Sequence, residues 1–145
     1  MQPVAVGILM KNGHVLACQR KQSARYPLKW EFPGGKIKAK ESAWEALVRE
    51  LHEELNIVAH GGDEFFQQEW VYPEGFADPQ RDGAFKVFYF LVRSFTGKPM
   101  NLAFEQIRWV RPLELLSLDT LEGNKSAVDL LIKHEAHHRA NPGSV

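Results

Sequence analysis

Short apolar runs, rich in β-branched and aromatic residues, predict six β-strands along the chain. The expected strands are Val4 to Met10, His14 to Arg20, Trp30 to Phe32, Phe65 to Val71, Phe85 to Phe95 and Gln106 to Val110. The first two are joined by Lys11-Asn12-Gly13. Asn-Gly between two apolar runs predicts a hairpin, because both residues tolerate positive φ. We expect Pro33-Gly34-Gly35 to end the third strand sharply.

The clearest helix of the sequence begins after Ser42. Ser42 and Glu45 have the spacing of a capping box, in which each side chain accepts a hydrogen bond from the other residue's backbone N–H. Apolar residues then recur at helical spacing, at Trp44, Leu47, Val48, Leu51 and Leu55. Asn56 follows as a left-handed cap. Two further helices are expected, a short one from Pro112 to Leu116 and a longer one from Ser126 to His134.

Two polar segments that contain proline are expected to be loops, Gln22 to Lys29 and the longer Tyr72 to Gly83. No repeat or linker divides the chain, so we expect one domain over residues 1–135 and a flexible tail over 136–145. Strands around one central helix, with another helix at the end, indicate a mixed α/β or α+β fold.

Charge and composition narrow the classes of partner. Eighteen Lys and Arg residues balance eighteen Asp and Glu residues. The chain therefore lacks the basic surplus that a nucleic-acid polymer requires, although a small phosphorylated ligand needs only a local cluster. The lone Cys18 favours a reducing compartment. The longest apolar run, Val87 to Val92, is far shorter than the roughly 20 residues that cross a bilayer, so we expect a cytoplasmic protein with no membrane partner.

Three glutamates carry the strongest chemical signal. Glu50, Glu53 and Glu54 are spaced so that their carboxylates share one face of the Ser42 helix. Like charges at this spacing repel, and a divalent cation would reverse that effect. Oxygen-only ligands favour Mg²⁺, Mn²⁺ or Ca²⁺ over zinc. The alternative is a solvated acidic face that binds no metal.

The residues around these glutamates resemble the Nudix box. That pattern is a glycine, five residues, a glutamate, seven residues, and then Arg-Glu-aliphatic-x-Glu-Glu-x-Gly-aliphatic. Here it runs from Gly35 through Glu41 to the segment Arg49-Glu50-Leu51-His52-Glu53-Glu54-Leu55-Asn56-Ile57. Only the last glycine departs from the pattern. Asn56 stands there, and asparagine is the next-best residue for a left-handed helix end.

The resemblance extends to the segment that precedes the box. Trp30-Glu31-Phe32-Pro33-Gly34-Gly35-Lys36-Ile37 is similar to the lead-in of MutT-type Nudix enzymes, which hydrolyse oxidised purine nucleoside triphosphates. The resemblance implies the Nudix fold, a mixed sheet sandwiched between helices. It also implies hydrolysis of a nucleoside triphosphate to the monophosphate and pyrophosphate, with oxidised dGTP as the leading substrate.

The resemblance assigns roles to residues of the box. Glu50, Glu53 and Glu54 would bind Mg²⁺, with Mn²⁺ as the alternative, and the carbonyl of Gly34 would complete the metal shell. Glu50 would also activate or orient the attacking water. Arg49, together with Glu41 and Gly35, would support the carboxylates. Glu50, Glu53 and Arg49 are therefore the expected catalytic residues.

One further metal ligand of the family has no direct match in this sequence. The family often places another glutamate shortly before a strand that ends in Trp-Val, and the matching position here is Ala103, which cannot bind a metal. Glu105 lies two residues later. It either takes over this task or is a surface carboxylate at the edge of a loop.

Substrate contacts are expected outside the box. Asn124 is similar in position to the asparagine that contacts oxidised guanine in MutT-type enzymes, since an amide offers a donor and an acceptor together. Its alternative role is to cap the final helix. Arg20 matches a substrate-contacting arginine, and Phe32 or Trp30 would border the base. The cationic candidates for the phosphates are Lys36, Arg25, Lys29 and Arg81.

Three alternatives to an oxidised-purine hydrolase stay open from the sequence. The first is another Nudix nucleotide diphosphatase, acting on CTP, dCTP or a nucleoside diphosphate linked to another group. The second is a non-catalytic module that binds nucleotide. The third is an acidic helix without metal. The sequence leaves open whether the protein is a monomer or a homodimer.

Overall fold

The computed structural model describes residues 1–72 and 83–140, without the side chains of residues 139 and 140. The strands are β1 (Gln2–Lys11), β2 (His14–Gln19), β3 (Trp30–Glu31), β4 (Gly34–Lys36), β5 (Val58–Val71), β6 (Ala84–Thr96) and β7 (Gln106–Val110). The α-helices are α1 (Ala43–Leu55) and α2 (Lys125–Ala140), and short 3₁₀ helices cover Pro112–Ser117 and Glu122–Asn124.

Strand β1 lies at the centre of the sheet. The sheet order is β3-β2-β1-β6-β5, with β4 paired to β1 and β7 paired to β2. The β1–β6 pair is parallel, and the other strand pairs of the described residues are antiparallel. The sheet is therefore mixed, as predicted.

The two α-helices cover opposite faces of this sheet. On one face, Leu47, Leu51 and Leu55 of α1 pack in a buried cluster with Leu9 and other sheet residues. On the other face, residues of α2 such as Leu131 pack in a second buried cluster. Burial of these two clusters stabilises the predicted layer order, a mixed sheet between helices.

The local signals of α1 are confirmed. Ser42 Oγ accepts from the Glu45 N–H at 3.0 Å, and Glu45 Oε1 accepts from the Ser42 N–H at 2.8 Å. Asn56 ends the helix at φ 55° and ψ 38°, which is the left-handed cap that the sequence predicted. The β1–β2 hairpin is also confirmed, since Asn12 and Gly13 both have positive φ.

Strand β3 ends before Pro33, as predicted, but the sequence analysis did not predict that the glycines after Pro33 form a strand of their own. The chain pairs again at once, and β4 runs antiparallel to β1 with Ala5 opposite Gly35. This close pairing needs glycine, because a Cβ atom on Gly34 would lie 2.1 Å from the Ala5 carbonyl oxygen, and the φ of Gly34 is +150°.

Two predicted boundaries are wrong. Strand β5 begins at Val58 rather than Phe65, since a polar, glycine-containing stretch pairs with β6 through register irregularities. Helix α2 runs from Lys125 to Ala140 rather than from Ser126 to His134. Glu135 holds its later turns to the sheet through an ion pair with Arg93 at 2.9 Å. The flexibility of a tail from residue 136 and a domain boundary at residue 135 stay predictions.

Within residues 1–72 and 83–140, no helix has both the length and the apolar character that a bilayer crossing demands. Cys18 is buried and forms no disulfide. The interior of the predicted Tyr72 to Gly83 loop lies outside the described residues.

Candidate active site

Arg49 organises the acidic face of α1. Its guanidinium donates to both oxygens of Glu41, from Nε to Oε2 at 2.7 Å and from Nη2 to Oε1 at 3.0 Å. Its Nη1 lies 3.0 Å from Glu50 Oε1 and 3.5 Å from Glu53 Oε2. The hydrogen bonds from Arg49 lower the pKa of the Glu41 carboxyl to about 2, so Glu41 is ionised at neutral pH.

The same guanidinium joins α1 to β4. Arg49 Nη2 also donates to the Lys36 carbonyl at 3.0 Å. Arg49 therefore connects the glutamates of the helix with the glycine strand that faces them, and it fixes the orientation of the Glu50 carboxylate.

The two glycines of β4 bring the backbone against the carboxylates. A Cβ atom on Gly35 would lie 2.5 Å from both Cδ and Oε1 of Glu50, so only glycine leaves room for this carboxylate. The Gly34 N–H donates to Glu54 Oε1 at 3.0 Å. The predicted contact between the glycines and the acidic face is thus present.

Glu54 is a partly buried carboxylate of this face. Burial, with a further contribution from the negative charge of Glu50, raises its pKa to about 8. Two carboxylates crowded into a low-dielectric site repel one another, and a bound cation removes that repulsion.

The donor set fits a hard divalent cation, because it consists of carboxylate and backbone oxygens without sulfur or imidazole. No three Asp, Glu, His or Cys side chains in the described parts of the chain already converge as ready metal ligands. Arg49 holds Glu50 and Glu53, and Glu54 bonds to Gly34 instead. Glu50, Glu53 and Glu54 are nevertheless the carboxylates of this face that could turn toward a cation.

A cavity of about 290 Å³ opens beside this face. Glu54 and the glycines of β4 lie at one part of its wall, and Asn124 lies at another. Aromatic and aliphatic side chains form much of the rest, among them Val4, Val6, Tyr26, Phe32, Trp70, Tyr72, Phe85, Val87 and Tyr89. The apolar part of such a cavity fits a planar ring. A charged group of the same ligand would then lie at the end of the cavity where the carboxylates are.

Arg20 and Glu31 form a partly buried ion pair in the same cavity. Arg20 Nη1 lies 3.1 Å from Glu31 Oε1 and 3.3 Å from Oε2, and Arg20 Nε donates to the Arg25 carbonyl at 2.7 Å. Burial raises the pKa of the Glu31 carboxyl, although the charge of Arg20 opposes this shift. The guanidinium is thus oriented before any substrate arrives.

Asn124 is buried at the cavity wall, and it does not cap α2 through its side-chain oxygen. That oxygen accepts instead from the Tyr89 hydroxyl at 2.9 Å. Asn124 is 7% exposed and belongs to the 3₁₀ turn that precedes α2. Its position is compatible with base contact.

The other predicted site residues divide into two groups. Lys36, Phe32, Arg20 and Arg25 line the cavity. Trp30 instead packs beneath the Arg108 guanidinium, and Lys29 forms an ion pair with Asp119 at 2.8 Å, so neither lines this cavity.

Glu105 is exposed where the chain enters β7, and its N–H donates to the Gln19 carbonyl at 2.8 Å. Its part in metal binding stays a prediction. Arg81 lies outside the described residues.

Sequence reasoning missed several residues of the cavity wall. Glu31 lines the cavity, but no local pattern in the Trp30 to Ile37 motif marks its carboxylate as part of a ligand site. Tyr89 follows Phe85 and Val87 at strand spacing, and all three line the cavity. That alternation was visible, but the sequence did not reveal which face of β6 borders a ligand.

The mixed sheet between helices and the glutamate face of α1 beside a cavity agree with the class of hydrolases that the sequence resembles. Residues 1–131 match the family model of the NUDIX domain, and the chain belongs to this family. Nudix hydrolases act on phosphoric anhydrides and depend in general on divalent metal ions, and this chain is an enzyme of that class.

Individual relatives agree with this assignment. The 8-oxo-dGTP diphosphatase of Buchnera aphidicola subsp. Acyrthosiphon pisum is 34% identical over 105 residues, which is 72% of this chain and 78% of that protein. The CTP pyrophosphohydrolase of Escherichia coli is 43% identical over 63 residues, 43% of this chain and 47% of that protein. The solution structure of the E. coli ORF135 protein superposes with a TM-score of 0.80 at 26% identity, covering 97% of this chain and 95% of that one.

Proposed function

We propose that this enzyme hydrolyses a nucleoside triphosphate to the nucleoside monophosphate and pyrophosphate, with Mg²⁺ as its metal. The leading substrate is 8-oxo-dGTP, and the role is removal of oxidised nucleotides from the precursor pool. The observation that carries this proposal is one cavity that is lined both by Glu54 and Gly34, next to the acidic face, and by Asn124. The similarity to the Buchnera 8-oxo-dGTP diphosphatase supports it.

The chain's own residues supply most of the chemistry. Glu50, oriented by Arg49, accepts a proton from the water that attacks phosphorus. Glu53 and Glu54 would hold the cation together with Glu50 and the Gly34 carbonyl. When bound, Mg²⁺ neutralises the charge of the triphosphate and activates water. Arg20, Arg25 and Lys36 lie along the cavity as cationic groups for the substrate.

The nucleotide is proposed to bind as a free small molecule in the cytoplasm, without a nucleic-acid polymer. A cavity of about 290 Å³ fits a nucleotide, and the chain has no excess of positive charge. The second candidate is hydrolysis of CTP or dCTP, which is favoured by the similarity to the CTP pyrophosphohydrolase.

One panel of assays tests this proposal. Pyrophosphate release is measured from 8-oxo-dGTP, dGTP, CTP and dCTP, with and without Mg²⁺. We expect the highest kcat/KM on 8-oxo-dGTP and no turnover without metal. Preference for CTP or dCTP would replace the leading substrate, and absence of turnover on every nucleotide would leave a binding module.

The catalytic assignment is tested by Glu50→Gln. We expect turnover to fall by about 10²-fold or more, because the group that accepts the proton is lost while its shape is kept. The matched control is Glu69→Gln, the same change on an exposed residue of β5. Turnover of Glu50→Gln equal to that of the control would contradict the role of Glu50.

A further inference from the structure

The turn that carries Asn124 is tied to the sheet by three side chains. The Tyr72 hydroxyl accepts from the Gly123 N–H at 2.8 Å. Gln68 Nε2 donates to the Gly123 carbonyl, and the Tyr89 hydroxyl lies 2.9 Å from Asn124 Oδ1. Strands β5 and β6 therefore contact both the backbone of this turn and the Asn124 side chain, which lines the cavity.

These hydrogen bonds have a fixed direction. The Gly123 carbonyl can only accept, so the Gln68 atom that contacts it must be the NH₂ nitrogen. The same nitrogen lies 3.3 Å from the Tyr89 hydroxyl. Because Tyr89 accepts from Gln68, its own proton points to Asn124 Oδ1, which is closer than the Gly123 carbonyl at 3.3 Å.

The direction of these hydrogen bonds fixes which way round the Asn124 amide lies. Oδ1 faces Tyr89, which occupies one of its two acceptor positions, whereas Nδ2 has no hydrogen-bond partner among residues 1–72 and 83–140. Asn124 lines the cavity, so the wholly unpaired group of its amide is the Nδ2 donor. The sequence alone did not indicate which end of the amide would be held by the protein.

We propose that Gln68 and Tyr89 are positioning residues that hold the Asn124 amide as a hydrogen-bond donor. The base subsite consequently selects a base with a carbonyl oxygen at the edge facing Asn124 over a base with an amino group there. An amino group would place donor against donor and leave both unpaired. This inference rests on the proposed function, which supplies the nucleotide.

The experiment measures equilibrium binding of nucleoside monophosphates, so that it is independent of turnover. The deciding pair is dGMP and the monophosphate of 2,6-diaminopurine deoxyriboside, in which an amino group replaces the carbonyl at C6 and N1 loses its hydrogen. 8-oxo-dGMP is measured beside them, and it differs from dGMP by a carbonyl at C8 and a hydrogen at N7. We expect the wild type to prefer dGMP over the diaminopurine nucleotide by about tenfold or more. Equal binding of these two nucleotides would overturn the inference, even if the enzyme hydrolyses triphosphates.

Tyr89→Phe removes the hydroxyl and keeps the ring that packs edge-to-face on Phe32. Without the donor the Asn124 amide adopts both orientations, and we expect the preference to fall about fivefold to tenfold. In an Asn124→Ala background the same change should have no further effect, because Tyr89 acts through that amide. An equal loss in that background would assign Tyr89 a merely structural role.

Thr120→Val is the matched control. It removes a buried hydroxyl from the segment that leads into the same turn, but that hydroxyl donates to the Leu115 carbonyl at 3.3 Å and Thr120 does not line the cavity. We expect a lower Tm with the binding preference kept. If Thr120→Val reduced the preference as much as Tyr89→Phe, general loosening of the turn would explain both, and the inference would fail.

Gln68→Glu should reverse the direction of the hydrogen bonds between residue 68, Tyr89 and Asn124. It provides a second test of the inference if Tyr89→Phe does not fold. A carboxylate can only accept, so the Tyr89 proton turns to residue 68 and Asn124 Nδ2 turns to the Tyr89 oxygen. The amide oxygen then faces the cavity, and we expect the preference to shift toward the amino-bearing base. An unchanged preference in a folded Gln68→Glu protein would overturn the proposed direction.

Discussion

Arg49 donates two parallel hydrogen bonds to Glu41, and with its remaining terminal nitrogen it contacts Glu50 at 3.0 Å. The hydrogen bonds to Glu41, which lies outside the metal-binding face, thus hold the guanidinium in the position from which it orients Glu50 within that face. A planar fork of donors is needed for both contacts at once, and a lysine ammonium cannot reproduce it.

Arg49→Lys should therefore keep the positive charge but lose the fork. We expect kcat to fall about 10- to 100-fold, because Glu50 is no longer aligned. Arg93→Lys is the control, since Arg93 forms a carboxylate pair with Glu135 on β6 and α2. Steady-state pyrophosphate release measures kcat for both variants. A wild-type kcat in Arg49→Lys would show that a positive charge alone is sufficient to orient Glu50.

Gly35→Ala tests the close approach of β4 to the helix. The added methyl group would meet the Glu50 carboxyl at 2.5 Å and push it aside, so we expect activity to fall about 100-fold or more. Gly61→Ala is matched to it, because a Cβ atom on Gly61 meets nothing within 4 Å and that residue is also in a strand. Equal activity of the two variants would show that Glu50 tolerates displacement.

Glu53→Gln should weaken the metal site while the fold is kept. Mg²⁺ that binds only the native state raises Tm according to its concentration relative to Kd. We expect the variant to need about tenfold more Mg²⁺ for the same rise, because one anionic ligand is lost. Thermal unfolding over a Mg²⁺ series measures this, with Glu69→Gln as the control. Overlapping titration curves for the two variants would remove Glu53 from the metal ligands.

Stability should depend on pH through Glu31. Burial raises the pKa of its carboxyl in the folded state, so the folded protein holds this proton more tightly than the unfolded chain does. The resulting stabilisation is complete below the unfolded pKa of about 4.3 and is lost as the pH rises through the higher folded pKa.

The measurement is the Tm of wild type and Glu31→Gln from pH 4 to pH 7. Glutamine has no proton to lose, so the wild type should lose stability relative to the variant as the pH rises. A constant difference in Tm across this range would contradict the raised pKa of Glu31.

Asn56→Gly should be neutral or slightly stabilising, because glycine adopts the φ of 55° at this helix end without strain. Asn56→Ala should cost about 1 kcal/mol, since alanine adopts this left-handed conformation unfavourably. Urea unfolding measures both. A variant with alanine as stable as the one with glycine would show that the cap is not a strained position.

Helix α1 and its carboxylate face were predictable because their signals are local. A cap, a hydrophobic stripe and glutamates at fixed spacing all lie within one segment from Ser42 to Asn56. Chain-wide composition and hydrophobic patterning also indicated the mixed fold. Both kinds of signal can be recognised in the sequence without knowledge of any long-range contact.

Features decided by distant partners were not predictable in the same way. Strand β4 contains two glycines and becomes a strand only because β1 pairs with it. The last turns of α2 depend on the contact between Glu135 and Arg93 of β6. The direction of the Asn124 amide depends on Tyr89 and Gln68, which lie on two other strands.

The parallel pairing of β1 with β6 has a consequence for the order of folding. Strand β1 occupies the first residues of the chain, whereas its partner begins only at Ala84. A nascent chain that has not yet exposed β6 has one edge of β1 unpaired, and closing so distant a contact is slow. Productive folding on the ribosome must therefore wait until most of the chain has emerged, and premature release exposes an apolar strand edge that is prone to aggregation.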